Sequence, residues 1–340
     1  IYFRAVNTAG KVSGISAAQT TKIDTTQPAL KAKATTNTMA KGTSSAPMNY
    51  FTITTNYNNS LSGGTTTCKA GSTTITNINT LAAGTYTVTC TMKTGAGKTA
   101  SASTTINLRA FATDSWAVIS STVKAGYASV YKVGDTKEVA VSGYGTFTVR
   151  VANNTTPAEC SSTNFSQTAC GFVVEFADII TEYQMNSSNS NVGGWPATKM
   201  RTFLNSTIYN ALPSDLKNII INTKVISGHG SSDSSNFTST DKLYLLSTKE
   251  VWGLYPEDDL YDSIDDSTIR QLDYYKNIGV TNVNYSGAIK TYNNEDSSWW
   301  LRSALSFENA RFYMINKRGN WTTYAATSNS KGVAPAFRIG

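Results

Sequence analysis

Trp299-Trp300-Leu301-Arg302-Ser303 and Gly332-Val333-Ala334-Pro335-Ala336-Phe337 are the stretches on which the fold turns. With Arg311-Phe312-Tyr313-Met314-Ile315 and Gly319-Asn320-Trp321 between them, they read as short strands joined by polar loops. Upstream, Lys242-Leu243-Tyr244-Leu245-Leu246 is a brief apolar strand. Ser247 with Glu250 three residues later is a capping-box start for a helical turn reaching Trp252. Two helices precede it. Met200, Phe203, Leu204 and Ile208 recur at helical spacing behind Pro196, and Leu216, Ile219 and Ile220 share one face behind Pro213. Gly171 to Phe176 reads as a strand. Residues 124–151 read as short strands separated by Val133-Gly134-Asp135 and Ser142-Gly143-Tyr144-Gly145.

The N-terminal third has a different texture. Tyr50-Phe51-Thr52-Ile53-Thr54 and Thr85-Tyr86-Thr87-Val88-Thr89-Cys90 alternate, and Gly63-Gly64 and Gly95-Ala96-Gly97 punctuate them, which indicates a β-sandwich over 26–110. Residues 1–25 read as the last strands of an earlier module, with a hairpin-type turn at Asn7-Thr8-Ala9-Gly10-Lys11; 22–28 read as a linker. The chain begins at Ile1, within an alternating strand, so further sequence is expected upstream. Residues 111–340 form the third expected unit.

The 340 residues carry only 15% charged side chains, well below the roughly 25% of ordinary soluble chains, and Ser, Thr and Asn fill the gap, as suits extracellular β-proteins. No apolar run approaches the roughly 18 residues that span a bilayer, so no membrane insertion is expected of this segment. The net charge of +7 divides unevenly. Residues 1–110 hold ten basic residues against Asp24 alone, a net +9, whereas the remaining 19 basic and 21 acidic residues give −2. The N-terminal lysines are dispersed among Thr-rich strands and not clustered on a helix or interleaved with aromatics, which argues against a nucleic-acid partner. The four cysteines form two local pairs, Cys68 with Cys90 and Cys160 with Cys170, without metal-site spacing. Two disulfides within the modules are therefore expected.

Two resemblances rest on these residues. Gly84 to Cys90 followed by Gly95-Ala96-Gly97-Lys98 resembles bacterial immunoglobulin-like or fibronectin-like repeats. No Trp lies between Cys68 and Cys90, a departure from the antibody core that favours a spacer. The ordered set Arg201-Thr202-Phe203-Leu204-Asn205, Leu212 to Lys217, Lys242 to Ser247, Trp299 to Ser303 and Gly332 to Phe337 resembles a domain of unknown function frequent in secreted proteins of Gram-positive bacteria. The same tail is similar to the C-type-lectin-like variable proteins of diversity-generating retroelements, in the formylglycine-generating-enzyme branch of that fold. The implied fold is mostly β, with immunoglobulin-like sandwiches followed by an α+β, C-type-lectin-like domain. The implied division of the tail makes Trp300, Leu301, Phe312, Met314, Val333 and Phe337 an apolar frame. Phe307, Asn309, Arg311, Tyr313, Asn316, Arg318, Asn320, Trp321, Thr323 and Tyr324 would then be ligand-facing residues that point outward or lie in loops.

Catalysis finds little support. His229, in Ser227-Gly228-His229-Gly230, is the sole imidazole available as a base, and a lone loop histidine is more often solvated. Formylglycine-generating activity would need reactive cysteines late in the domain, whereas Cys160 and Cys170 lie early. Glu257, Asp258, Asp259, Asp262, Asp265 and Asp266 offer oxygen ligands for calcium but lack EF-hand order, and a solvated loop is the favoured account of them. No other metal or cofactor is expected. Trp195, Tyr274-Tyr275, Trp299 and Trp321 are either binding anchors or core. The expected function is non-enzymatic: recognition or adhesion at a bacterial cell surface, with an extracellular protein or glycan as partner. The alternative is a structural subunit that self-assembles through its sandwiches into a surface filament or layer; an extracellular hydrolase ranks below both.

Overall fold

Alternation of apolar and hydroxyl side chains decides the first part of the structure, and near-continuous apolar runs decide the second. The computed structural model describes residues 2–14, 16–17, 28–54, 64–253, 268–328 and 331–340. It is mostly β, and the chain divides into two compact units, Ile1–Leu108 and Arg109–Gly340. Residues 22–27 of the linker expected at 22–28 and the acidic run Glu257 to Asp266 lie outside the described residues. No helix among the described residues is long and apolar enough to cross a membrane.

In the N-terminal unit a five-stranded sheet runs in the order Thr36–Ala40, Thr99–Arg109, Gly84–Lys93, Thr65–Ala70, Thr73–Ile75. Ala29–Ala32 pairs separately with Phe51–Thr54. Val88, Cys90, Met92, Ile106 and Leu108 share a buried core with Leu30 and Phe51. Hydroxyls pair across the outer face of the sheet, Thr89 with Ser103 at 2.8 Å and Thr91 with Ser101 at 2.7 Å, which accounts for the Thr-rich composition. The expected Cys68–Cys90 disulfide forms between directly opposed residues of neighbouring strands. It therefore lies within one sheet, whereas the antibody pattern joins two. The turn at Asn7–Lys11 is also present, with Gly10 donating to the Asn7 carbonyl at 2.9 Å.

Two five-stranded sheets organise the C-terminal unit. The first runs Thr136–Val141, Gly145–Asn153, Phe172–Phe176, Ala336–Ile339, Ile220–Ile221, and the second Thr181–Glu182, Gly332–Val333, Trp299–Ala304, Arg311–Ile315, Trp321–Ala325. One pair of segments belongs to both sheets. Residues 172–182 and 332–339 run antiparallel to each other, pairing Val174 with Phe337 in the first sheet and Thr181 with Val333 in the second. The turn between sheets falls at Ala334-Pro335, where Pro335 accepts from Phe176 N–H at 2.9 Å and needs no N–H of its own. Gly332 is required for closeness: a Cβ there would lie 2.5 Å from Ile179 Cδ1.

The frame residues Trp300, Leu301, Phe312, Met314, Val333 and Phe337 are all buried. Trp299 and Trp300 satisfy their indole N–H groups on Ala288 O at 3.1 Å and Tyr183 O at 2.9 Å. Arg302, between them and the loop, is fully buried, and all five of its N–H groups are used. Nε donates to Ile226 O at 3.1 Å, Nη1 to Leu245 O at 2.7 Å and Glu250 Oε2 at 2.6 Å, and Nη2 to Glu250 Oε1 at 2.8 Å and Thr168 Oγ1 at 3.4 Å. Glu250 is also the capping-box residue of the Thr248–Trp252 helix, as expected, and accepts from Ser247 N–H at 2.8 Å. Thr168 donates to Glu250 as well. The second expected disulfide, Cys160–Cys170, closes the loop that carries Thr168. Together the two bridges suggest an oxidising, extracellular setting.

A second buried charge cluster lies on the first sheet. Glu175 accepts from Arg150 Nε at 2.8 Å, Lys290 Nζ at 3.0 Å and Tyr275 Oη at 2.9 Å. Burial would raise the Glu175 carboxyl, but Arg150 and Lys290 outweigh it and hold it below the usual range. Burial lowers the Lys290 ammonium to about 8 despite Glu175.

Four sequence expectations need correction. The helix read through Ile219 and Ile220 ends at Lys217, and Ile220 joins the first sheet as a strand. Residues 242–246 are buried but make no strand; Tyr244 forms only an isolated bridge with Ala336, because Lys242 and Leu243 give their N–H groups to Asn205 Oδ1 at 2.8 and 3.0 Å. The 196–209 helix is interrupted by a π-helical turn, Leu204–Ile208, which contains that Asn205. A helix at Trp116–Lys124, N-capped by Ser115, stands outside the helices read from the sequence.

Two outcomes follow. Truncating Arg302→Ala or Glu250→Ala strands the partner charge and lowers unfolding stability by about 3–5 kcal/mol, read from denaturant midpoints, with a double variant costing less than the sum. Burial raises the phenols of Tyr131, Tyr244 and Tyr275 well above their ordinary value. The unfolded chain gives up these protons near pH 10 while the native state keeps them, so their contribution is intact below about pH 10 and falls as pH rises beyond it. Phenolate absorbance should then show three tyrosines that titrate only together with loss of structure.

Candidate functional site

Asn191 is a buried polar residue in Asn191-Val192-Gly193-Gly194-Trp195, and buried amides are found where their hydrogen bonds are used. Its backbone N–H donates to Asn309 O at 2.8 Å. Its side-chain Nδ2 donates to Glu308 O and Arg311 O, both at 2.9 Å, and to Leu305 O at 3.3 Å. One residue thus fixes the backbone of 305–311 at four carbonyls, three through its side-chain amide and one through its backbone N–H. A third loop joins them: Ser231 N–H donates to Glu308 O at 3.1 Å, and Asp233 Oδ2 accepts from Gly193 N–H at 2.8 Å. Gly230 seals the junction, since a Cβ there would lie 2.1 Å from Asn191 Oδ1.

The segments 187–194, 228–236 and 305–311 are therefore one loop cluster with a hydrogen-bonded floor. Its outer side is apolar and charged together. Val192 is 47% exposed and Phe307 52%, and Arg311 pairs with Glu308 at 3.1 Å. Such an exposed pair stabilises by under about 1 kcal/mol and leaves both groups available to a ligand. His229 belongs to the cluster, with its Nδ1 2.8 Å from Gly230 O. Among the described residues no three His, Cys, Asp or Glu side chains converge as metal ligands.

Of the ten residues expected to face a ligand, Phe307, Asn309 and Arg311 are exposed on this cluster. Arg318 is exposed on the turn at the other end of the hairpin. Asn316 and Asn320 shape that turn: Asn316 Oδ1 accepts from Arg318 N–H at 2.8 Å, and Asn320 Oδ1 from Trp321 N–H at 2.8 Å. Tyr313 is a correction, being only 3% exposed. Trp321 and Thr323 are half-buried, and Trp321 packs on the core with its ring 6.2 Å from that of Tyr313. Register explains why the ten cannot form one face. Tyr313 opposes Thr323 and Ile315 opposes Trp321, whereas Tyr324 opposes Phe312 on the reverse of the pleat, where it is exposed beside Lys331 Nζ at 4.5 Å. The other aromatic candidates, Trp195, Tyr275 and Trp299, are buried, and Tyr274 stacks under Arg150 at 3.8 Å.

Sequence marked Phe307, Asn309 and Arg311 through the polar, aromatic loop between two apolar strands. It gave no sign of Asn191 or Val192 beyond the neighbouring Gly193-Gly194. Replacing Asn191→Ala removes the amide from beneath three loop carbonyls, so stability should fall by about 1–3 kcal/mol. Hydrogen exchange and proteolysis should accelerate first at 305–311; uniform acceleration across the unit would contradict a local clamp.

No curated protein and no solved structure matches the chain. The family model for a domain of unknown function, DUF6273, matches residues 173–340, so its first matched residue lies in the Phe172–Phe176 strand and its last, Gly340, directly follows the Ala336–Ile339 strand.

Proposed function

We propose that the protein is a recognition and adhesion module displayed outside a bacterial cell, binding a protein or glycan ligand through the 187–194, 228–236 and 305–311 loops. The single observation that carries this reading is Phe307, exposed on a loop whose backbone Asn191 holds from below, with Arg311 exposed at the loop's end and Val192 exposed on the loop that carries Asn191. Exposed aromatic and arginine side chains are the residues that concentrate binding energy, and a loop already ordered loses little entropy when a ligand arrives. The role is binding, not catalysis. In this reading the C-terminal unit is a C-type-lectin-like scaffold of the formylglycine-generating-enzyme branch, similar to the variable proteins of retroelements. The N-terminal unit is an immunoglobulin-like or fibronectin-like spacer.

Arrays of glycans and of extracellular proteins probed with the whole chain test it. Phe307→Ala and Arg311→Ala should each weaken the signal about tenfold or more, while Tyr127→Ala, at an exposed position elsewhere in the unit, should not. Equal binding by Phe307→Ala and the unaltered chain would remove these loops from consideration.

A further inference from the structure

The N-terminal unit, Ile1–Leu108, carries eight Lys and Arg4 against a single acid, Asp24, and no Asp or Glu occurs between Asp24 and Asp114. Asp24 lies outside the described residues, and one carboxylate cannot neutralise nine cations wherever it stands. Two of those cations, Lys69 and Lys93, are exposed on the outer face of the five-stranded sheet. Pleating puts them there: Cys68, Val88, Cys90 and Met92 turn into the core, so their neighbours along each strand turn out.

The register sets Thr67 opposite Thr91 and Lys69 opposite Thr89 on that outer face. A groove of about 500 Å³ lies between these strands, lined by Thr67, Lys69, Gly71, Thr89 and Thr91. Its lining holds hydroxyls and an ammonium, with no carboxylate and no aromatic ring. Thr89 and Ser103, like Thr91 and Ser101, spend one O–H on each other, so each pair keeps a second O–H and further lone pairs for a guest. The floor is fixed covalently. Cys68 sits between Thr67 and Lys69, and Cys90 between Thr89 and Thr91, so their disulfide on the buried face locks the two walls of the groove in register. Binding to such a preformed surface costs little ordering. At Gly71, φ is +59° and open space lies where a side chain would stand, which leaves that end of the groove clear for an extended chain.

We propose that this groove binds an anionic polysaccharide, whose carboxylate or sulfate groups meet Lys69 while its hydroxyls exchange hydrogen bonds with the threonines. A single-stranded nucleic acid would look for aromatic rings on which to stack its bases, and a protein partner for an apolar centre; the lining supplies neither. A neutral glycan would leave the ammonium unmatched, and a polyanion without hydroxyls would leave the threonines unmatched. The groove belongs to the N-terminal unit, so it stands or falls independently of the Asn191 loops.

Titration of the whole chain with polygalacturonate and with dextran sulfate, against neutral dextran and polyglutamate, tests it. At least one of the two anionic polysaccharides should bind about tenfold or more tightly than both controls and should weaken as salt screens the charges; the tighter of the two names the anionic group. Lys69→Ser removes a charge-assisted hydrogen bond and should weaken that binding about tenfold or more. Thr67→Val/Thr91→Val keeps charge and shape, and should lose about fivefold for each hydroxyl removed. Lys31→Ser removes the same charge from the separate Ala29–Ala32/Phe51–Thr54 pair and should change affinity less than about twofold. Equal binding by either control overturns the proposal. So does undiminished binding by Lys69→Ser or by the threonine pair, or a loss in Lys31→Ser as large as in Lys69→Ser.

Discussion

Arg302 and Glu250 exchange two charge-assisted hydrogen bonds with no solvent around either, and much of the C-terminal unit is arranged so that neither charge is left over. Five donors on the guanidinium require five acceptors in one plane. They come from four separated parts of the chain: Ile226, Leu245, Glu250 and Thr168. Desolvating such a pair is expensive, and the cost is offset only when every partner is in place. The Cys160–Cys170 loop, the Thr223–Ser227 strand, the extended 243–247 segment and the Trp299–Ala304 strand are thereby tied to a single geometry.

Above this floor, a different device holds the loops. Asn191 donates its side-chain amide to the Leu305, Glu308 and Arg311 carbonyls, adding to the loop's own Leu305 N–H to Arg311 O bond. The result is an apolar, exposed tip on a backbone with little freedom.

Legibility from sequence followed the range of the interactions. Trp299 to Ser303 and Gly332 to Phe337 were readable as buried strands because their apolar character is local, and the Ser247/Glu250 cap was readable because its partners lie three residues apart. The two disulfides followed from the local pairing of cysteines. By contrast, nothing local to Arg302 tells that its charge is buried, because its partner Glu250 is distant in the chain. Tyr313 was expected outside because pleat alternation sets it opposite Phe312 and Met314, but both faces of that strand are covered, so alternation no longer separates inside from outside. Asn191 could not be found at all, since its role exists only when 305–311 arrives. Residues 242–246 misled for a related reason: the segment is apolar enough for a strand, yet Asn205 takes the N–H groups that a ladder would use.

The paired segments 172–182 and 332–339 also set an order of events. Phe172–Phe176 is a central strand whose inner neighbour is Ala336–Ile339, and Thr181–Glu182 must find Gly332–Val333 in the other sheet. Neither sheet can close before residues more than 150 positions downstream have emerged, because the loop between the partners has to be ordered first. Until then a wholly apolar strand, Phe172-Val173-Val174 with its single buried Glu175, presents an unsatisfied edge. A chain that folds outside the cell would cross the membrane with that edge open, and its exposure to misassociation would last as long as the wait for residues 332–339.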